Sequence, residues 1–241
     1  MFREAWAGIM VPGGPKEEEE MKLTITHGSK EIHGAKVLKD VNMTLESGAV
    51  YGFWGKNGSG KTMLMRAVCG LIRLTDGKIE IDDIAIGEGR DFPPELGMLL
   101  ETPAFLPDRT GYDNLRLLAA LRGKAGPEEV AAALEQVGLD PKDRRKVRKY
   151  SLGMRQRLGI ACAIMESPGL LVLDEPFNGL DQEGCRLIRD IIIRHRQGGC
   201  LILLACHDRE ELETLSDRIY RVEDGVFTPA GAVPASGRKL S

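Results

Sequence analysis

The eight residues Gly55-Lys56-Asn57-Gly58-Ser59-Gly60-Lys61-Thr62 carry the strongest chemical signal in the chain. They follow the spacing G-x-x-x-x-G-K-[ST], which suits a loop that wraps a chain of phosphates. Glycine lets the backbone approach phosphate oxygens closely and adopt positive φ. The loop N–H groups and the N-terminus of a following helix hold negative charge. Lys61 is placed to reach the β- and γ-phosphates of a nucleoside triphosphate, and the Thr62 hydroxyl to ligate Mg²⁺. With Met63 at the helix start, residues 55–63 form the expected nucleotide-binding segment. The flanks agree with this reading. Ala49 to Trp54 reads as a short buried strand, and Lys61 to Ile72 as a helix with Leu64, Val68 and Leu71 on one face.

A second signal is the apolar run Leu170-Leu171-Val172-Leu173, which ends in Asp174-Glu175. A strand of this kind carries its terminal carboxylates to the edge of an open α/β sheet, where ligands bind. Asp174 can hold Mg²⁺ there, directly or through water. Glu175 can face the γ-phosphate and take a proton from, or orient, an attacking water. Three further segments recur in order around this strand: Tyr150-Ser151-Leu152-Gly153-Met154-Arg155-Gln156-Arg157, Asn178-Gly179-Leu180-Asp181 and Ala205-Cys206-His207-Asp208.

These residues need a scaffold, and the pattern supplies one. Lys22 to Thr26, Val41 to Glu46 and Gly77 to Ile81 alternate apolar and polar residues, as half-buried antiparallel strands do. Tyr112 to Leu121 and Pro127 to Val137 show helical periodicity, and Pro127 suits a first turn. Asp181 to Arg196 is helical, Cys200 to Ala205 a second buried strand, Arg209 to Ser216 a short helix, and Arg218 to Glu223 a last strand. The expected fold is α/β: a mostly parallel sheet around the phosphate loop, an N-terminal antiparallel β layer, and a helical subdomain inserted at about residues 102–167. Beyond Thr228 the tail is rich in Pro, Gly, Ala and Ser and is expected to fray.

The 241 residues suffice for one large or two small cores. A net charge of -3 gives no general pull toward nucleic acid or an anionic membrane surface. The one basic run, Arg144 to Lys149, reads as a solvated segment. Five cysteines without a C-x-x-C read as reduced, mostly buried thiols rather than a disulfide frame or zinc site. His27 and His195 read as surface residues. No apolar run approaches the roughly 20 residues that cross a bilayer, and the Ala5–Val11 stretch lacks the flanks of a signal peptide. Residues 1–20 carry no periodic pattern, and Met21 opens the domain. Two readings of that segment stay open, a non-native extension and an acidic tail.

Taken in order from about Met21 to Phe227, the motifs resemble those of the ATP-binding-cassette (ABC) ATPases. Tyr150 to Arg157 is similar to the family's Leu-Ser-Gly-Gly-Gln signature, Asn178 to Asp181 to its D-loop, and Ala205 to Asp208 to its switch-histidine region. The form Tyr-Ser-Leu-Gly-Met-Arg-Gln-Arg looks most like the bacitracin-resistance and lantibiotic-immunity type of bacterial exporter. The resemblance implies ATP and Mg²⁺ as cofactors and a head-to-tail dimer, either homo- or heteromeric. It also implies that Ser151 and Gly153 contact the γ-phosphate of ATP held by the other subunit. His207 would contact the γ-phosphate and hold the attacking water. A separate transmembrane permease is the implied partner, with no nucleic acid, and the implied place of this chain is cytoplasmic, peripheral on the inner face of the membrane. The alternative within the family is a soluble ATPase acting on DNA or ribosomes.

Three positions depart from the family pattern. Leu152 replaces the signature's first glycine. Glu101, after the strand-like Leu96 to Leu100, stands where the family carries a metal-sensing glutamine; it is a candidate Mg²⁺ ligand that adds negative charge near the γ-phosphate. His33 is the candidate for the aromatic that stacks on adenine, with an ordinary loop histidine as the other reading.

Overall fold

The computed structural model describes residues 21–87, 91–101 and 103–232. The expectations for residues 1–20 therefore lie outside the described part, as does the end of the tail. Two sheets form the frame. The first is antiparallel, in the order β2-β1-β4-β5, from β1 (Lys22–Ile32), β2 (Ala35–Glu46), β4 (Asp76–Ile81) and β5 (Ile84–Ala85). The second has the order β10-β9-β3-β8-β7-β6. Its strands β3 (Val50–Trp54), β6 (Leu96–Leu99), β7 (Leu170–Asp174), β8 (Leu201–Cys206) and β9 (Arg218–Glu223) run parallel, and β10 (Val226–Ala232) returns antiparallel on β9.

The central strands β7 and β8 are buried along their whole length because both faces are covered. Side chains alternate between faces along a strand. Leu201, Leu203 and Ala205 of β8 pack with the antiparallel layer and α1 (Lys61–Val68), whereas Ile202, Leu204 and Cys206 pack with the helical side. In β7, Leu170 and Val172 join the first cluster, and Leu171 and Leu173 the second. The helical side comprises α2 (Gly111–Arg122), α3 (Pro127–Gln136), α4 (Leu152–Ile164), α5 (Gln182–Gln197) and α6 (Arg209–Leu215). Pro127 opens α3 as expected. The approach of α4 to β6 is very close: a Cβ at Gly97 would strike the Ala163 carbonyl. Arg122 fastens the same seam, donating from Nη1 to the Leu96 carbonyl at 3.0 Å and pairing with Glu166 at 3.0 Å.

Three expectations are corrected. Helix α1 stops at Val68, short of Ile72. Gly70 takes φ 75° after the Cys69 cap, Gly70 N donates to Ala67 O, and Leu71 N donates to Arg66 O. That pair of bonds is a Schellman ending, and it swings Leu71 out to 46% exposure rather than onto the Leu64–Val68 face. Residues 228–232 do not fray but continue β10, pairing Thr228 with Arg221 and Ala232 with Arg218. Pro229 is tolerated because β10 is an edge strand. His195 is half-buried, its Nδ1 3.0 Å from the Ile191 carbonyl, and burial lowers its pKa. His33 and Gly34, both at positive φ, form the two-residue turn between β1 and β2.

The basic run 144–149 stays exposed apart from Val147, with Arg145 paired to Asp143 and Arg148 to Asp108.

One buried amide ties the start of α2 to the segment before it. Asn114 accepts from Leu106 N at 2.8 Å and donates to the carbonyls of Leu106 and Thr110 at 3.2 and 2.8 Å. Replacement by alanine removes the acceptor of Leu106 N and leaves the Leu106 carbonyl to Arg109 N alone. Asn114→Ala is expected to cost about 1–3 kcal/mol, read as a lower midpoint in urea unfolding; an unchanged midpoint would show that water replaces the amide at no cost.

Candidate nucleotide-binding and hydrolysis site

The phosphate loop fills the turn from β3 into α1. Gly58 at φ 80° and Gly60 at φ 117° supply the left-handed steps that curl it. Gly60 also admits neighbouring backbone, since a Cβ there would lie 2.9 Å from the Val37 carbonyl. No side chain caps the start of α1, so its first-turn N–H groups are left for a ligand. Lys61 is 5% exposed and folds its ammonium onto the loop, donating to Gly55 O at 2.6 Å and Lys56 O at 3.1 Å. The cation is thus held at the centre of the curl.

Strand β7 delivers Asp174 opposite the loop, where Thr62 Oγ1 donates to its Oδ2 at 2.6 Å. Burial pushes the Asp174 carboxyl above its usual range; the Thr62 bond opposes this and the Glu175 charge adds to it. Asp174 Oδ1, Glu175 Oε1 and Ser59 Oγ are buried with no hydrogen-bond partner. Unpartnered oxygens beside the Thr62–Asp174 pair fit a hard divalent cation, which takes oxygen ligands. The residues present therefore suit Mg²⁺.

Glu175 follows with φ 50°, a left-handed step that turns its side chain off the strand. The backbone there is held on both sides, by Gln156 Nε2 donating to Glu175 O at 3.0 Å and by Glu175 N donating to Ala205 O at 2.9 Å. Its Oε2 lies 2.7 Å from Nδ1 of His207, just beyond β8. Trp54 Nε1 donates to the His207 carbonyl at 3.2 Å and fixes that corner.

A cavity of about 720 Å³ gathers most of these groups: Asn57, Gly58, Gly60 to Met63, Glu101, Asp174 and Glu175 line it. Other expected residues stand apart. His33 does not line the cavity, and Val37 borders it from β2 instead. Ser151 caps α4, accepting from Met154 N at 3.2 Å, and neither it nor Gly153 reaches the cavity of its own chain. Leu152 does, packed on Gly179 of the D-loop segment. Glu101 lines the cavity but is paired with Arg66 at 2.6 Å, one helical turn beyond Thr62. Sequence reasoning missed Arg66, Gln156 and Val37. Gln156 lay inside a motif already singled out, and Arg66 stood four residues after Thr62 on the same helix face; Val37 had no signal.

This arrangement defines a P-loop nucleotide-binding ATPase. The ABC transporter family profile matches residues 38–178. The chain is 37% identical over 203 residues to YybJ of Bacillus subtilis strain 168, an ABC transporter ATP-binding protein, covering 84% of this chain and 93% of that one. It is 39% identical over 199 residues to the bacitracin transport ATP-binding protein BcrA of Enterococcus faecalis, covering 82% of this chain but 65% of BcrA. The lantibiotic transport ATP-binding protein SrtF of Streptococcus pyogenes is 36% identical over 84% of this chain and 87% of its own length. Among solved structures, an ATP-binding subunit of an ABC transporter superposes with TM-score 0.78 at 25% identity, covering 86% of this chain and 90% of that one. The cassette MJ0796, a dimer bound to ADP and phosphate, shares the fold at TM-score 0.79 and 20% identity, over 88% of this chain and 99% of its own. The chain belongs to the ABC transporter family and is one of its ATPases. Among the described residues no helix is long and apolar enough to cross a membrane.

Proposed function

We propose that the chain is the energy-coupling half of a bacterial ABC exporter, docked on the inner face of the membrane against a separate permease. The cargo class is a peptide antibiotic or a similar amphipathic molecule. The names of BcrA and SrtF support that class. The hydrolytic assignment rests chiefly on Glu175: one carboxylate oxygen is held by His207 at 2.7 Å while the other is buried without a partner. In this reading Oε1 accepts a proton from the attacking water. His207, anchored through Nδ1, offers its second nitrogen to a phosphate oxygen. Lys61 exchanges the loop carbonyls for phosphate oxygens, and the N–H groups of residues 56–62 complete the cradle. Thr62 and Asp174 would hold Mg²⁺, which would supply charge neutralisation to the phosphates. A second subunit contributes Ser151 and Gly153, whose own chain leaves them outside its cavity.

Glu101 is proposed as a third oxygen ligand, one that would give up its pairing with Arg66 to hold Mg²⁺. Glu101→Gln removes a negative charge from that position, so the Mg²⁺ concentration for half-maximal hydrolysis is expected to rise severalfold. Phosphate release measured across a Mg²⁺ titration tests this. An unchanged curve would leave Glu101 as the partner of Arg66 alone, and hydrolysis that persists in excess chelator would overturn the metal-assisted reading altogether.

A further inference from the structure

The ends of β7 and β8 bring together three different metal-binding groups, one of which hydrolysis does not use. A carboxylate oxygen of Glu175, Sγ of Cys206 and a ring nitrogen of His207 all lie within 4.8 Å of one another. The parallel register explains the meeting. Asp174 is paired with Ala205, so Glu175, just past the end of β7, comes beside Cys206, the last residue of β8, and His207 follows. The cluster is not saturated by its own contacts. Cys206 Sγ accepts only a long bond from Asp208 N, at 3.4 Å, and Glu175 Oε1 has no partner. His207 is the exposed member, so the cluster opens to solvent on its side.

We propose that Glu175, Cys206 and His207 form a binding site for a thiophilic divalent cation of the Zn²⁺ class, and that its occupation stops ATP hydrolysis. Sulfur, imidazole nitrogen and carboxylate oxygen are the donors zinc selects, with a fourth position left for water. Mg²⁺ takes oxygen donors in strict octahedral geometry and is a poor fit here. The Thr62–Asp174 pair offers only oxygens, so the two neighbouring sites sort the two metals by donor chemistry. On binding, the Cys206 thiol proton leaves to solvent, the sulfur pair forms the metal bond, and the His207 lone pair turns from Glu175 to the cation. No electron is transferred. Glu175 is then engaged as a ligand and His207 is fixed, which removes both from service. The binding half of the proposal stands on the cluster alone; the inhibition half rests on Glu175 and His207 acting in hydrolysis.

Cd²⁺ titrated alone into the full chain, without nucleotide or Mg²⁺, gives separate readings of the two halves. The expected result is an ultraviolet cadmium–thiolate band that saturates at one equivalent. Cys206→Ser should abolish the band while keeping Mg²⁺-dependent hydrolysis. Cys206→Ala removes the ligand without burying a hydroxyl and must give the same loss. His207→Ala should weaken the metal by at least about tenfold. No saturable band in the wild type, or the same band in both Cys206 variants, overturns the site. In a second arm, Zn²⁺ added against excess Mg²⁺–ATP should inhibit the wild type and spare Cys206→Ser. If the band behaves as expected and Zn²⁺ leaves hydrolysis untouched, the inhibition half and the reading of Glu175 fail while the metal site stands.

Discussion

Glu175→Gln is expected to bind ATP normally and to hydrolyse it at least about a hundredfold more slowly, or ~2.7 kcal/mol of barrier. The amide keeps the shape and the hydrogen-bonding reach toward His207 but cannot accept the proton of the attacking water. The local fold should survive, because the backbone at this residue is held by Gln156 and Ala205 rather than by its side chain. Loss of hydrolysis with binding retained should also trap the ATP-bound dimer, visible as a larger species in size-exclusion chromatography with ATP. Turnover close to wild type would move the proton-accepting role to another group.

The second large effect concerns who completes the site. Lys61→Ala removes the buried ammonium that organises the phosphate loop, and Ser151→Arg places a bulky cation at the start of α4. Each variant alone is expected to be inactive. In a dimer related by two-fold symmetry, mixing them restores one site in which the intact loop of one chain meets the intact signature of the other. Equal mixing makes half the dimers hybrid with one good site each, so about a quarter of wild-type activity should return if sites act independently. Strictly no recovery, with hybrid dimers confirmed by mass, would mean that each chain completes its own site.

Much of this was legible in the sequence because the signals were local. The phosphate loop needs glycines at fixed positions, and Gly58 and Gly60 have the positive φ that the spacing demands. The unbroken apolar runs at 170–173 and 200–205 became the central strands β7 and β8 because both their faces are covered. The end of α1 could have been read from Gly70, yet Leu71 and Ile72 extended the apolar pattern and hid the stop. Strand β10 was illegible for a different reason. Its Pro and Gly content argues for a tail, and only pairing to β9 overrides that composition. The Glu101–Arg66 pair and the Gln156 bond to Glu175 join segments far apart in the chain, so no local pattern could announce them. His33 could be singled out only by resemblance, and its place in the two-residue turn between β1 and β2 was not announced by any local pattern.

The central claim is that this ATPase drives a membrane partner. Its most direct test is affinity purification of the tagged chain from detergent-solubilised membranes of its native host, using Glu175→Gln to hold the assembly. The account predicts stoichiometric recovery of a multi-span membrane protein, with wild-type hydrolysis stimulated when the two are reconstituted in lipid vesicles. Recovery on ribosomes or DNA, with no membrane protein and with full activity in free solution, would contradict it.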